Sequence, residues 1–433
     1  MDFGSVMYSK SSKQILVVED SVMFSRILKR SIESTGDFTV VAVENFADLK
    51  VLLAEKKQQF FAGLLDVNLP DAPNGEVIDF VLAHNIPSVI FTSKLDDSFR
   101  KKIYTKGLVD YVLKEGPANV EYVVSLLSQL KRNSDIDVLV VDDSASIRSY
   151  IKHLLVIYQF NVLEAVDGID ALRMVKENPS ISLVLTDFNM PNMDGLALTK
   201  ALRREHSSQQ MAIIGMSAFG NNQLSAHFLK LGGSDFINKP FLEEEFFCRI
   251  NQNMDLLEHI NKLKFLATRD FLTGLFNRRH FFEVGNKVLT RYEKKGLQIG
   301  IALLDIDHFK KVNDNYGHDA GDIVLRQLGA LLIENFEADN ANHDVVARFG
   351  GEEFCFLLVA ENTEQMQQKL STLRAHIEKE RFVLNDGFNL QVTASIGLFT
   401  DPSLDIESAI TMADKALYQA KENGRNQLVL LDS

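Results

Sequence analysis

An apolar run closed by two acids occurs twice in this chain, as QILVVED at residues 14–20 and DVLVVDD at 137–143. A second apolar run closed by one Asp also recurs, as FAGLLD at 61–66 and ISLVLTD at 181–187. The third landmark is a Lys, in DYVLK at 110–114 and DFINK at 235–239. The equivalent positions lie 123, 121 and 125 residues apart, so the first half of the chain is two copies of one domain. Within each copy, Val/Ile/Leu-rich strands alternate with amphipathic segments such as Val22–Glu33 and Ile147–Tyr158. That pattern predicts a doubly wound α/β domain with a parallel sheet. Such sheets place functional side chains at the carboxyl ends of their strands, which is where the acids fall.

With 433 residues the chain exceeds one core, and about three domains are expected. The 46 basic and 59 acidic residues give a net charge of −13, which argues against a broad nucleic-acid or anionic-membrane footprint. Phosphate groups would have to be met by metal ions or local basic residues. Only Cys248 and Cys355 are present, and they read as buried apolar thiols in a reducing compartment. No apolar run reaches the roughly 20 residues of a membrane span, and the start of the chain lacks a signal-peptide pattern, so a cytoplasmic protein is expected.

From about Leu242 to Ala267 a segment without Gly or Pro carries apolar residues at Phe247, Ile250, Met254, Leu257, Ile260, Leu263 and Ala267. The spacing predicts one continuous helix, whose seam shifts register near Leu256–Leu257; it reads either as a dimerising or signal-transmitting helix or as one packed on its own domain. After Thr268 the pattern becomes α+β. Strand-like runs at 299–306, 345–349, 354–359 and 390–397 are interleaved with helical stretches near 278–290, 320–335, 363–379 and 405–422.

If the duplicated residues converge, each copy offers three carboxylates, a hydroxyl and a Lys. Such a hard oxygen site suits Mg²⁺. An Asp beside it can attack phosphorus, and the hydroxyl and ammonium can hold the phosphoryl oxygens. In order and spacing the copies resemble response-regulator receiver domains, over 13–132 and 135–250. The resemblance implies acid pairs Glu19/Asp20 and Asp142/Asp143, phosphoacceptors Asp66 and Asp187, hydroxyls Thr92 and Ser217, and lysines Lys114 and Lys239. It also implies switch aromatics Tyr111 and Phe236, flavodoxin-like folds, and a histidine kinase or phosphotransfer protein as phosphodonor. One departure is that Lys239 is followed by Pro240 but Lys114 by Glu115.

The last domain carries RDFLTGLFNRR (269–279), DIDHFKKVND (305–314), GHDAGD (317–322), RFGGEEF (348–354) and ALYQAKENGRN (416–426). VVARF and FCFLLV read as two strands joined by Gly-Gly-Glu-Glu, a hairpin whose glycines permit positive φ and close approach to a ligand. IGIALLDI ends in Asp305, with Asp307 two residues on. If that strand neighbours the hairpin, its acids make a metal site fit for attack at a nucleotide phosphorus.

These five motifs resemble the GGDEF diguanylate cyclases, here with Gly350-Gly351-Glu352-Glu353-Phe354, and in order with the receivers the chain resembles PleD-type response regulators. The resemblance implies a nucleotidyl-cyclase-like domain at 269–431 after a linker helix at 251–268. It implies Mg²⁺, or Mn²⁺, held by Asp305, the Ile306 carbonyl and Glu352, with Glu352 or Glu353 taking the proton of the attacking hydroxyl. Asn313 and Asp322 would bind guanine, and Lys310, Lys421 and Arg425 would face the phosphates. Two GTP-loaded domains must then meet, so the active form is a homodimer and receiver pairing raises effective concentration. The family's product-inhibition site, Arg-x-x-Asp, aligns with Ala341-Asn342-His343-Asp344, which lacks the Arg and predicts weak feedback. Two rivals are a catalytically idle nucleotide-binding or protein-contact regulator and a mononucleotide cyclase.

Overall fold

The computed structural model describes residues 12–55, 60–93, 107–218, 222–292, 297–336, 344–385, 387–400 and 405–431. The chain divides into two compact units, one running up to Ile260 and one beginning at Asn261.

In the first unit, strands β1 (Lys13–Val18), β2 (Phe38–Val43), β3 (Ala62–Leu65), β4 (Ser88–Thr92) and β5 (Asp110–Leu113) form a parallel sheet in the order β2-β1-β3-β4-β5. Its described helices are α1 (Val22–Glu33), α2 (Phe46–Glu55), α3 (Glu76–Leu82) and α4 (Pro117–Asn133). The second copy repeats the order as β7-β6-β8-β9-β10, with β6 (Asp137–Val141), β7 (Asn161–Ala165), β8 (Ile181–Asp187), β9 (Ala212–Ser217) and β10 (Asp235–Asn238). Helices α5 (Ala145–Ile157), α6 (Gly168–Glu177), α7 (Gly195–Glu205) and α8 (Asn222–Lys230) accompany it.

Both faces of each sheet are covered. In β1, Ile15 and Val17 enter one core while Leu16 and Val18 enter the other. In β6, Val138 and Val140 are separated from Leu139 and Val141 in the same way. Two-sided burial is why these strands read as unbroken apolar runs.

Helix α9 (Glu243–Thr268) is continuous, as its sequence predicts. Phe246, Phe247, Ile250, Met254 and Leu257 join the core of the second copy. From Leu256 on, other apolar side chains of the helix face outward, because Leu256, Leu263 and Leu266 are exposed. Cys248 is exposed too, contrary to the expectation of a buried thiol, since it points away from the buried stripe. Cys355 is fully buried, which pushes its thiol pKa well up and leaves it unreactive.

The second unit is built on a six-stranded sheet in the order β11-β13-β14-β12-β17-β18. Its strands are β11 (Phe276–Asn277), β12 (Gln298–Ile306), β13 (Val345–Gly350), β14 (Glu353–Ala360), β17 (Ala394–Phe399) and β18 (Leu428–Leu431). Between them run α10 (Arg278–Tyr292), α11 (Phe309–Tyr316), α12 (His318–Phe336), α13 (Thr363–Lys379) and α14 (Ile406–Glu422). The strand expected at 390–397 is split. A short hairpin of β15 (Phe382–Val383) and β16 (Asn389–Leu390) takes its start, and β17 begins only at Ala394. The Asp307 N–H carries the β12–β17 pairing on to the Thr393 carbonyl, and residues 391–393 link the hairpin to β17. Helix α11, absent from the sequence reading, follows directly on the acid-bearing strand end. Among the described residues no helix is long and apolar enough to cross a membrane.

Candidate functional site

Strand β12 is the hub of the second unit, flanked by β14 and β17 in antiparallel register. The register sets Asp305 opposite Glu353 on one side and Ser395 on the other. Ile301 and Leu303 point to the core shared with α14, so Asp305 emerges at the end of that face. Lys421, one turn beyond the buried Leu417 of the same helix, reaches it with Nζ at 2.9 Å.

Asp305 is only 7% exposed, and burial pushes its carboxyl above the ordinary range. The hydrogen bond and charge of Lys421 oppose that, while Glu352 and Glu353 push it further up. Asp305, buried beside two further carboxylates, is a hard oxygen donor whose charge a divalent cation would relieve. The chemistry of these residues suits a hard divalent cation.

The β13–β14 hairpin turns at Gly351-Glu352, with an irregularity between Arg348 and Gly350. Gly351 sits at φ +52, a left-handed conformation that costs glycine nothing. A Cβ at Gly350 or Gly351 would meet nothing within 4 Å, so the tip faces open space with room for a ligand. Arg348 braces it from below. Its Nε and Nη2 donate to the Gly351 carbonyl at 3.0 and 2.8 Å, and Nη1 reaches Asp270 Oδ1 at 3.0 Å. Burial raises the Asp270 pKa, but hydrogen bonds from Thr273 and Arg348 hold it below the usual carboxylate range. Neither Arg348 nor Asp270 was singled out in the sequence, although both lie inside its motifs.

Asn313 on α11 and Asp322 on α12 are brought together by the joint at Gly317, whose N–H closes on the Asn313 carbonyl. A Cβ on Gly321 would come within 2.0 Å of Asn313 Oδ1, so glycine there lets the Asn313 amide lie against the helix beside Asp322. Lys310 and Arg425 are exposed, one on the first turn of α11 and the other in the turn after α14. Asp344 is buried. It accepts from the Val359 N–H at 2.9 Å and forms an ion pair with Lys369. The three residues before it lie outside the described residues.

The duplicated acids converge in both sheets. In the first copy Lys114 Nζ lies 2.6 Å from Glu19 and 2.6 Å from Asp66, and Asn68 donates to Asp66 and to Thr92. Glu19, Asp20 and Asp66 offer oxygens within 4.8 Å of one another, the one such group found among the described residues. Burial pushes the Glu19 carboxyl up against the opposing pull of Lys114. In the second copy Lys239 Nζ lies 2.6 Å from Asp142 and 2.6 Å from Asp187, Asp143 is exposed, and Ser217 is buried at the end of β9. Gly195 packs so tightly that a Cβ would fall 2.4 Å from the Asp187 carbonyl. The Lys239–Pro240 peptide is cis. Of the two aromatics, Phe236 is buried edge-on to Phe228, whereas Tyr111 is only partly buried.

Comparison with known proteins agrees with this geometry. Residues 138–251 match the response regulator receiver domain family, and residues 267–427 match the family described as diguanylate cyclase, GGDEF domain. A solved two-component system response regulator/GGDEF domain protein is 36% identical, with a TM-score of 0.51, and is covered over its whole length by 57% of this chain. The chain belongs to the response regulator/GGDEF family. Response regulator PleD of Caulobacter vibrioides is 32% identical over 259 residues, 58% of this chain and 56% of that protein. Diguanylate cyclase A of Treponema denticola is 36% identical over 171 residues, 38% of this chain and 44% of that protein. The chain thus spans about half the length of these curated relatives. As a family member it joins doubly wound α/β folding in its receiver to a GGDEF cyclase-like α+β domain.

Proposed function

We propose that this response regulator is a phosphorylation-controlled diguanylate cyclase that converts two GTP into cyclic di-GMP and two pyrophosphates. The observation that carries the reading is the register of Asp305 with Glu353, with Glu352 at the adjoining open tip. The 3′-hydroxyl oxygen of one GTP attacks the α-phosphorus of the other, the bond to pyrophosphate breaks, and the hydroxyl proton passes to Glu352 or Glu353. The same exchange in the opposite sense closes the ring. Mg²⁺, or Mn²⁺, held by Asp305, the Ile306 carbonyl and Glu352, would neutralise the phosphates. Asn313 and Asp322 pair with the guanine edge, an amide and a carboxylate suiting its mixed acceptors and donors. Lys310, Lys421 and Arg425 meet phosphate oxygens.

Each such domain holds one GTP, so two must face each other and the active species is a homodimer. Exposed Leu256, Leu263 and Leu266 on α9 support a helix that pairs with its counterpart. We read residues 13–132 as a second receiver, because the sheet order and the Lys–acid contacts of the matched receiver recur there. Asp66 and Asp187 are then the phosphoacceptors, served by a cytoplasmic histidine kinase or phosphotransfer protein. The Asp344–Lys369 pair supports weak feedback, since this Asp already has a cation of its own. Incubating the full chain with GTP and Mg²⁺, with and without beryllium fluoride as phosphoryl mimic, and weighing the product by mass spectrometry tests the reading. Cyclic di-GMP that increases with the mimic supports it, and GTP left intact in both arms rejects it.

A further inference from the structure

We infer that Asp307 is a positioning residue that clasps the Arg425 turn against the metal-bearing strand end; this rests on the cyclase reading above. Asp307 follows β12 directly and is 6% exposed. Its Oδ1 accepts from Ser395 Oγ at 2.6 Å, and its Oδ2 accepts from Thr393 Oγ1 at 2.7 Å and from the Asn426 N–H at 3.0 Å. Its own N–H donates to the Thr393 carbonyl. A carboxylate engaged by three donors has little left for a metal, so its role differs from that of Asp305 two residues earlier.

The turn it holds is conformationally demanding. Gly424, Arg425 and Asn426 all have positive φ, at +111, +63 and +47, and two of them carry side chains. Such a run persists only where the surroundings hold it in place. Asn426 is held at its N–H by Asp307 and at its side chain by Arg374 and Glu378. Arg425, just before this anchored residue, donates its N–H to the Ala420 carbonyl at 3.0 Å and is left exposed. The strand end thus grips the phosphate-facing segment twice, through Asp305 with Lys421 and through Asp307 with Asn426. Without the Asp307 oxygen the Asn426 N–H loses its acceptor, and the Arg425 guanidinium samples a wider range of positions. The loss then falls on GTP binding.

Steady-state kinetics of the full chain with GTP, Mg²⁺ and beryllium fluoride test this. Asp307→Ala is expected to raise KM about ten-fold or more while kcat changes less. Asp307→Asn stays within about three-fold, because its oxygen can accept from the Asn426 N–H while its amide donates to Ser395. In an Arg425→Ala background, Asp307→Ala adds less than about two-fold, the signature of two residues acting through one contact. Should Asp307→Ala fail to fold, the near-isosteric Thr393→Val is expected to raise KM in the same direction by a smaller factor, again only when Arg425 is present. Effects that multiply independently, a fall in kcat at constant KM, or an Asp307→Asn as damaging as the alanine would each overturn the proposal. If wild-type protein forms no cyclic product, the cyclase reading fails by itself, and the same variants are compared by their affinity for GTP.

Discussion

The two halves of the duplication carry the same five residue positions yet enclose their acids to different degrees. In the first copy Lys114 and Asp66 have side chains 4% and 6% exposed, whereas Lys239 and Asp187 in the second are at 12% and 14%. Lys114 also lies 5.4 and 5.6 Å from the rings of Phe24 and Phe91. The Lys–Asp pair of the first copy is therefore the drier of the two and lies against aromatic rings, while Glu19 and Asp142 are buried alike. Similar side chains thus arrive with unequal solvent access to the central Asp and unequal cost for an unpaired charge.

The largest expected effect fixes the output against which both copies are measured. Glu353→Ala should lower cyclic di-GMP formation by about a thousand-fold with or without beryllium fluoride, in a GTP turnover assay. The next sharpens the difference in burial. Lys114→Met leaves two enclosed carboxylates unpaired and should cost about 3 kcal/mol of stability in urea unfolding, with Lys239→Met costing less. Its pH dependence has a definite sign. Burial already raises the Glu19 pKa, and removing Lys114 takes away the group that opposes the rise. A carboxyl whose folded pKa lies above its unfolded value costs stability at high pH and is relieved as pH falls through the folded value. The Lys114→Met deficit should accordingly shrink as pH falls from neutrality; a deficit that grows on acidification breaks the comparison.

Access gives the third prediction. Asp187→Ala should remove most of the stimulation by beryllium fluoride, on the order of ten-fold, and Asp66→Ala about two-fold or less. The opposite ranking in the same assay would make the enclosed copy the principal acceptor. The smallest effect concerns feedback: added cyclic di-GMP should change the initial rate by less than about two-fold, and Asp344→Ala should leave that insensitivity as it is.

Much of this architecture could be read without coordinates. The duplication, the strands that end in acids, the GGEE hairpin and the continuous α9 follow from periodicity and spacing, because a strand or helix writes its buried faces into local order. The family resemblance added the roles expected of Asn313, Asp322 and Arg425. Less legible was what depends on pairs far apart in the chain. Asp305 and Asp307 look alike in DIDHF, yet one meets Lys421 and the glutamates while the other is engaged by Thr393, Ser395 and Asn426. Likewise the run at 390–397 reads as one strand, and only the separate partners of its two ends, β15 for one and β12 for the other, divide it.

The amino-acid order by itself determined which residues stand at strand ends and which chemistry they could perform, since side-chain type and local period are properties of the chain. Tertiary structure decided which of those residues meet and how dry each meeting place is: the Asp305–Glu353 register, the closer burial of Lys114 than of Lys239, and the clasp on the Arg425 turn. Burial and long-range pairing depend on what the rest of the fold packs against a residue, and no local pattern carries that information.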